Sequence, residues 1–189
     1  RFGAGAAPRR LYSLVEGEPG ELLVVTREGG PTNRGLIFRR AADGELSVLH
    51  AFTDGSAGTW GMGAFLTRGS DGLFYGTRAN GGTSATGSVF QLDREGTYTE
   101  LHSFDGSYPW YDSVPRGALI ESRFEPCLFF GTLAGSGLDG GVYSIDAAGG
   151  YTLLGIFTSE QGSPRGRLLQ TADGWLYGAS SDGFLFRID

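Results

Sequence analysis

The chain has 189 residues, of which 34 are glycine and 7 are proline, and 13% of its residues are aromatic. Glycine without a strict three-residue period excludes collagen, and this aromatic content excludes an intrinsically disordered chain. The formal net charge of −6 disfavours nonspecific binding to nucleic acid. No run approaches the roughly 18 apolar residues that a membrane-spanning helix requires.

Short runs rich in Val, Phe, Tyr and Thr, punctuated by Asp-Gly or Glu-Gly pairs, predict β-hairpins throughout the chain. The runs recur in a fixed order. First strands begin after residues 8–10, 61–63, 115–117 and 164–166. Second strands are predicted at 23–26, 74–77, 129–132 and 176–179. Third strands are predicted at 35–38, 87–90, 141–143 and 183–186, and fourth strands at 49–52, 101–104 and 154–157.

The spacing of the fourth-strand signal gives the period of the repeat. Phe52 and Phe104 are 52 positions apart, and Phe104 and Phe157 are 53 apart. Repeats of this length with four strands each are typical of a β-propeller. Helical repeats are excluded because no window shows a 3.6-residue apolar period. A β-sandwich is the alternative, but it does not require a repeating motif.

We therefore predict an all-β fold, a β-propeller-like array of four blades of about 50 residues, each a four-stranded antiparallel sheet. We predict one repeat domain, whose four blades comprise about residues 3–52, 53–104, 105–157 and 158–189. Blade 4 lacks its fourth strand within the chain. Arg1 and Phe2 lie where a fourth strand would end, 50 positions before Phe52. Either the termini meet and close a ring, or another chain completes the sheet and the edges support self-association.

The combined motif resembles a known family. The pattern is Pro-x-Gly-x-Leu-(Leu/Ile), then Ser-Asp-Gly-x-(Phe/Leu)-Tyr-Gly-Thr, then Gly-Ser-Val-Phe-x-Leu, then Leu-His-Ser-Phe. It is similar to the Gloeo/Verruco-type (GloVer) tandem repeat, best at residues 164–179 and 66–104, and covers essentially the whole chain. The resemblance implies a secreted or cell-surface bacterial repeat protein without established activity or catalytic residues. Blade 3 departs from the pattern at residues 123–126, and blade 1 lacks the Tyr-Gly pair at 23–26.

The long loops are expected to share one face of a propeller, because connections between strands two and three and between blades emerge on the same side. They comprise residues 28–34, 53–62, 79–86, 105–116 and 134–140. Candidate ligand-binding residues there are Trp60, Tyr108, Trp110 and Tyr111, whose rings are suited to stack on sugars or to anchor a protein partner. The alternative is that these rings cap the ends of the blades.

Three arginines form a second candidate site. Arg9, Arg116 and Arg165 are aligned at the start of the innermost strand, with Met62 in the fourth copy. At the mouth of a central channel they would suit a carboxylate, sulfate or phosphate. The alternative is that they are solvated or internally paired.

No catalytic residue, metal site or cofactor is predicted. Asp-Gly pairs are turn signals first, and isolated carboxylates on separate turns lack the clustered oxygens that calcium prefers. Asp54, Asp105 and Asp112 are the least implausible metal ligands. His50 and His102 share one register position of the repeat, which indicates a structural role.

The sequence thus favours a non-enzymatic, extracellular structural or self-assembly module of the cell surface, associating with itself or with another surface protein through blade edges. The alternative is a lectin-like propeller that binds a glycan or peptide through its long-loop face. Assembly is preferred because a lectin with repeated sites should repeat its ligand residues, and the aromatic positions do not recur. A polysaccharide lyase or hydrolase is a third, weaker alternative, since nothing brings two carboxylates together.

Overall fold

The computed structural model describes residues 9–53, 65–105, 114–135 and 140–189. Sixteen β-strands, and no helix, occur in these ranges, so the predicted all-β class is confirmed. No helical segment with the length and hydrophobicity needed to cross a membrane occurs among the described residues.

The strands form four antiparallel sheets that follow one another along the chain, and we call these sheets blades 1 to 4. Blade 1 contains β1 (Arg9–Glu16), β2 (Leu22–Glu28), β3 (Leu36–Arg40) and β4 (Leu46–Ala51). Blade 2 contains β5 (Phe65–Arg68), β6 (Phe74–Arg78), β7 (Ser88–Leu92) and β8 (Tyr98–Ser103). Neighbouring strands in each of these blades pair in chain order.

Blade 3 contains β9 (Val114–Pro115), β10 (Ile120–Glu121), β11 (Leu128–Ala134), β12 (Gly140–Asp146) and β13 (Tyr151–Phe157). Its short strands β9 and β10 both pair with β11 and together take the place of one inner strand. Blade 4 contains β14 (Pro164–Gln170), β15 (Leu176–Ser180) and β16 (Leu185–Ile188), and this sheet has three strands, as predicted. We propose the blade limits 3–52, 53–104, 105–157 and 158–189, inside which all these strands fall.

The turn between β5 and β6 shows why Asp-Gly recurs in the sequence. Gly72 has a φ of 84°, in the left-handed region that favours glycine. One carboxylate oxygen of Asp71 accepts the Leu73 amide at 3.0 Å, and the other accepts the Tyr75 hydroxyl at 2.7 Å. The carboxylate is therefore committed to the turn and to the adjacent strand.

Successive blades pack on one another through their faces. We call the face toward the next blade along the chain the front face, and the face toward the preceding blade the rear face. Three buried clusters join the blades in series. The front of blade 1 (Leu23, Val25, Ile37, Phe52) meets the rear of blade 2 (Leu66, Phe74, Phe90, Leu92). The front of blade 2 (Tyr75, Val89, Phe104) meets the rear of blade 3 (Leu119, Phe129, Leu133, Tyr143, Ile145). The front of blade 3 (Ile120, Phe130, Val142, Phe157) meets the rear of blade 4 (Leu168, Leu176).

The glycine of the Tyr-Gly pair makes room for an aromatic ring of the third strand. A Cβ placed on Gly76 would lie 2.3 Å from Cζ of Phe90, and one placed on Gly131 would lie 2.5 Å from Cζ of Tyr143. Gly178 meets Phe186 in the same way, at 2.3 Å. Any larger residue would displace these rings from the rear faces.

Strand pairing corrects the predicted alignment of blade 1. Val25 lies opposite Ile37, as Thr77 lies opposite Val89 in blade 2, so Val25 rather than Thr26 is the counterpart of Thr77. The prediction for residues 23–26 was therefore wrong by one position. The physical reason is alternation: only this register turns Leu23 and Val25 toward the cluster that they share with blade 2.

Threonine hydroxyls add a polar contact between successive blades. Thr77 Oγ1 donates to the carbonyl of Gly117 at 3.0 Å, and Thr132 Oγ1 donates to the carbonyl of Gly166 at 3.1 Å. In blade 4 the corresponding residue is Ala179, which lies opposite Leu185 as Thr77 lies opposite Val89. These hydrogen bonds hold the second strand of one blade against the inner strand of the next.

Candidate functional site

Arg116 lies on the innermost part of blade 3, at the junction with blade 4. Its backbone amide donates to the carbonyl of Thr132 at 3.2 Å, which continues the pairing of β9 with β11. The next residue, Gly117, is in contact with blade 4, because a Cβ on Gly117 would lie 2.3 Å from the carbonyl oxygen of Gly166. Arg116 and Arg165 therefore flank the closest approach of two inner strands.

The guanidinium of Arg116 is half-buried, and its Nε atom is buried without a hydrogen-bond partner among the described residues. Burial lowers the pKa of Arg116, and the positive charge of Arg165 lowers it further, whereas the Tyr12 hydroxyl raises it. No ion pair of Arg116 or Arg165 with a carboxylate occurs in the described ranges. The two arginines thus form a local concentration of positive charge in an acidic protein.

Tyr12 and Arg27 join this group from blade 1, although the sequence patterns did not indicate either residue. Burial raises the pKa of Tyr12, and the charges of Arg27 and Arg116 oppose that rise. The Tyr12 ring is fixed by an edge-to-face contact with Phe65, with centroids 4.9 Å apart. Side chains from blades 1, 3 and 4 are therefore within electrostatic range of one another on the inner side of the array.

Arg9 is not the structural counterpart of Arg116 and Arg165, which corrects the predicted alignment. Arg9 lies opposite Glu28 in β2, whereas Arg165 lies opposite Ala179 in β15. Val25 is the counterpart of Ala179, and the residue opposite Val25 is Ser13. Arg9 lies too close to the start of β1 to reach this position, and Tyr12, at the register shift between Leu11 and Ser13, lies next to it.

The aromatic candidates Trp60, Tyr108, Trp110 and Tyr111 all lie outside the described residues. Their placement on a long-loop face stays a prediction. Asp54 and Asp112 also fall outside these ranges. Within the described ranges, no group of three or more His, Cys, Asp or Glu side chains could hold a metal ion.

Both histidines are components of ring stacks between blades. His50 of blade 1 stacks on Tyr98 of blade 2 with centroids 4.3 Å apart, and His102 of blade 2 stacks on Tyr151 of blade 3 at the same distance. Burial lowers the pKa of His102, and the charge of Asp105 opposes this shift. The histidines therefore contribute to packing between blades, as the repeated register indicated.

A groove of about 470 Å³ lies between the inner strands of blades 3 and 4, lined in part by Ile120, Arg123 and Arg167. The carboxylate of Glu121 also lies in the groove, but it accepts hydrogen bonds from the backbone amides of Ser70 at 2.9 Å and Cys127 at 2.8 Å. Cys127 is half-buried against the cluster between blades 2 and 3. Glu121 is the one acid among the described residues that line the groove, so these residues provide no pair of facing acids suited to glycoside hydrolysis.

The rear face of blade 1 exposes apolar positions that are buried in the other blades. Leu14 is the counterpart of Leu66, because Leu14 lies opposite Val24 in blade 1 as Leu66 lies opposite Gly76 in blade 2. Leu14 is 61% exposed, whereas its counterparts Leu66, Leu119 and Leu168 are 5%, 1% and 4% exposed. Val24 and Phe38, in the middle of this face, are buried, so its exposed apolar surface is contributed by Leu14, Leu22, Leu46 and Val48.

The front face of blade 4 shows the complementary feature. Leu185 is 77% exposed, whereas its counterparts Ile37, Val89 and Val142 are completely buried. Leu169 is 62% exposed, although Ile120, which occupies this position in blade 3, is 6% exposed. Among the described residues, no hydrophobic cluster joins blade 4 to blade 1. The array therefore displays one half of a blade junction at each end.

Comparison with known proteins identifies the repeat. Residues 2–187 match the family model of the Gloeobacter/Verrucomicrobia repeat. No curated protein sequence is similar enough to this chain to count as a relative.

Solved structures share the fold at low sequence identity. The periplasmic gluconolactonase of Pseudomonas aeruginosa is 18% identical, with a TM-score of 0.59 over 96% of this chain and 51% of that chain. The Dos1 propeller is 13% identical, with a TM-score of 0.59 over 94% and 44%. An extracellular domain from B. thetaiotaomicron is 14% identical, with a TM-score of 0.58 over 95% and 21%. The chain thus spans at most about half the length of these proteins, and the likeness shows a β-propeller fold.

Proposed function

The chain belongs to the Gloeobacter/Verrucomicrobia repeat family, and we propose that it is a non-enzymatic structural module that assembles outside the cell, blade on blade. In this proposal the front of blade 4 in one copy packs on the rear of blade 1 in a second copy. The single observation that carries the proposal is the pair of exposed, complementary half-junctions at the two ends of the array. An extracellular domain and a periplasmic protein among the similar structures support the location.

The internal junctions define what each half requires. At every described junction, a third-strand aliphatic residue on the front meets an inner-strand leucine on the rear: Ile37 and Leu66, Val89 and Leu119, or Val142 and Leu168. Leu185 on the front of blade 4 occupies the third-strand position, and Leu14 on the rear of blade 1 occupies the inner-strand position. Both residues are exposed. Burying one leucine side chain contributes about 1.5–3 kcal/mol, and this burial offsets part of the cost of association.

The faces that would meet are different, because one belongs to blade 4 and the other to blade 1. A head-to-tail contact of one face with a different face is heterologous, so it produces either a closed ring or a filament.

The test is the mass of the purified 189-residue chain, measured by size-exclusion chromatography with light scattering over a range of concentrations. We expect a dimer or a larger species. The variants Leu14→Glu and Leu185→Glu should each abolish the larger species, because each places a charge on one half of the junction. The matched control is Ile156→Glu, which changes a residue of blade 3 that is 57% exposed and should leave the mass unchanged.

Mixing the two variants tests the head-to-tail geometry. The Leu14→Glu chain keeps an intact front on blade 4, and the Leu185→Glu chain keeps an intact rear on blade 1. An equimolar mixture should therefore form a dimer through one intact junction, although neither variant associates alone. A monomeric wild-type chain, or a mixture that stays monomeric, would contradict the proposal.

A further inference from the structure

From the arginines on the inner strands we infer a second property, independent of assembly: Arg116, Arg165 and Tyr12 form a binding site for an oxyanion. The group bound is a carboxylate, sulfate or phosphate, presented by an acidic sugar or as a free ion. The two arginines lie where blades 3 and 4 meet on the inner side of the array, and Tyr12 approaches them from blade 1.

The first argument is the unmatched donor on Arg116. Its Nε atom is buried and has no hydrogen-bond partner in the described part of the chain. Leaving a buried donor unpaired costs about 1–3 kcal/mol, and more when the donor carries charge. A folded protein seldom keeps such a group without a reason. An oxyanion would accept this N–H and remove the cost.

The second argument is that like charges are held together. Arg165 is close enough to Arg116 to disfavour its charged form, and Arg27 acts on Tyr12 from blade 1. Glu28, which directly follows Arg27 in the sequence, is already paired with Arg10, with Nε and Oε1 3.1 Å apart. Arginines without a carboxylate partner among the described residues attract an anion, and the partial burial of Arg116 strengthens that attraction.

The third argument concerns geometry and rigidity. The close contact of Gly117 with Gly166, and the bond from Thr132 Oγ1 to the Gly166 carbonyl at 3.1 Å, fix the backbones that carry Arg116 and Arg165. The planar guanidinium forks match oxyanions in a bidentate manner, and the Tyr12 hydroxyl can donate one further hydrogen bond. Because the backbones are already fixed, the ordering that opposes binding is confined to the side chains.

The experiment is calorimetric titration of the purified chain with sodium sulfate, galacturonic acid and a galacturonic acid trisaccharide at constant ionic strength. We expect saturable binding of at least one of these probes with one site per chain. Arg116→Met and Arg165→Met should each weaken that binding at least about tenfold, which corresponds to losing one charge-assisted hydrogen bond. Arg34→Met removes the same charge from a loop of blade 1 and should change affinity less than about twofold.

A second measurement separates loss of the site from loss of the fold. Without any added anion, Arg116→Met should unfold at the same temperature as the wild-type chain or a higher one, because it removes an unpaired buried donor beside Arg165. Sulfate or the sugar acid should raise the unfolding temperature of the wild-type chain and not that of this variant. The inference is overturned if no probe binds saturably, or if Arg34→Met weakens binding as much as Arg116→Met.

The probes also distinguish the two sources of the oxyanion. Tighter binding of the trisaccharide than of the monomer or sulfate indicates a group presented on a glycan. Equal binding of all three indicates a free anion. Either result supports the site, and neither depends on the oligomeric state found for the chain.

Discussion

The junction between blades 2 and 3 and the junction between blades 3 and 4 use the same positions with different chemistry. In the first, His102 stacks on Tyr151, and Tyr151 lies beside Tyr143 with centroids 5.5 Å apart. In the second junction the counterpart of His102 is Gly155, because Gly155 lies opposite Val142 as His102 lies opposite Val89. A Cβ on Gly155 would lie 3.0 Å from Cδ1 of Ile188, so an aliphatic side chain occupies this space.

The difference lies in one residue of the fourth strand. His50 and His102 stack on Tyr98 and Tyr151 of the following blade, whereas blade 3 has Gly155 at the same position. Position and burial thus repeat along the array, while ring stacking occurs only at the described junctions that have the histidine.

The largest expected effect is the loss of a ring from the aromatic junction. Phe129 is completely buried and lies 4.1 Å from Tyr75, measured between ring centroids. Phe129→Ala should lower the free energy of unfolding by about 3–5 kcal/mol, because it removes buried surface and leaves a cavity. Urea unfolding followed by circular dichroism measures the change. The control Phe184→Ala alters a ring that is 56% exposed and should cost less than about 0.5 kcal/mol.

An intermediate effect distinguishes the two junctions directly. Gly131→Ala would place a Cβ 2.5 Å from the Tyr143 ring and should cost about 1–3 kcal/mol through overpacking. Gly155→Ala meets only the flexible end of Ile188 and should cost less than about 0.5 kcal/mol or be slightly stabilising, since alanine is favoured over glycine within a strand. The same urea titration compares the two variants. Equal losses would show that the junctions do not differ in tightness.

The smallest expected effect is the pH dependence that His102 contributes. Burial lowers the pKa of His102 from 6.5 in the folded chain, so the unfolded chain binds this proton more readily. The contribution of His102 to the free energy of unfolding is therefore fully present above about pH 6.5, and it decreases as the pH falls from 6.5 toward the lowered pKa of the folded chain. The slope for one proton cannot exceed about 1.4 kcal/mol per pH unit.

The measurement is the unfolding free energy of the wild-type chain and of His102→Gln between pH 7.5 and pH 5. The variant should lose less stability than the wild-type chain on acidification, because glutamine does not titrate. An unchanged difference between the two proteins across this range would show that His102 keeps its ordinary pKa.

The sequence predicted the fold well because the repeat marks positions that packing requires. Phe52, Phe104 and Phe157 set the period, and all three are buried in the clusters between blades. It aligned blade 1 less well, since Val24 replaces the glycine that marks the second strand elsewhere. Without that glycine, only the pairing of Val25 with Ile37 fixes the register.

The candidate site was predicted only in part. Arg116 and Arg165 are aligned by the same Pro-Arg-Gly sequence, and the structure brings them together. Arg9 belongs to a similar sequence, but it lies opposite Glu28, whereas the counterpart of Ala179 is Val25. Tyr12 and Arg27 approach the group from another blade, about 90 to 150 positions away in sequence, and residue spacing carries no information about such contacts.

The hydroxyl bonds of Thr77 to Gly117 and of Thr132 to Gly166 have a consequence for how this family can evolve. Each bond joins one repeat to the next, but the donor is present only in blades 2 and 3, because blade 1 has Val25 at this position. Deletion of blade 3 would therefore bring Thr77 of blade 2 to the Gly166 carbonyl and recreate the bond at the new boundary. Deletion of blade 2 would not, because Val25 has no hydroxyl to donate to the Gly117 carbonyl.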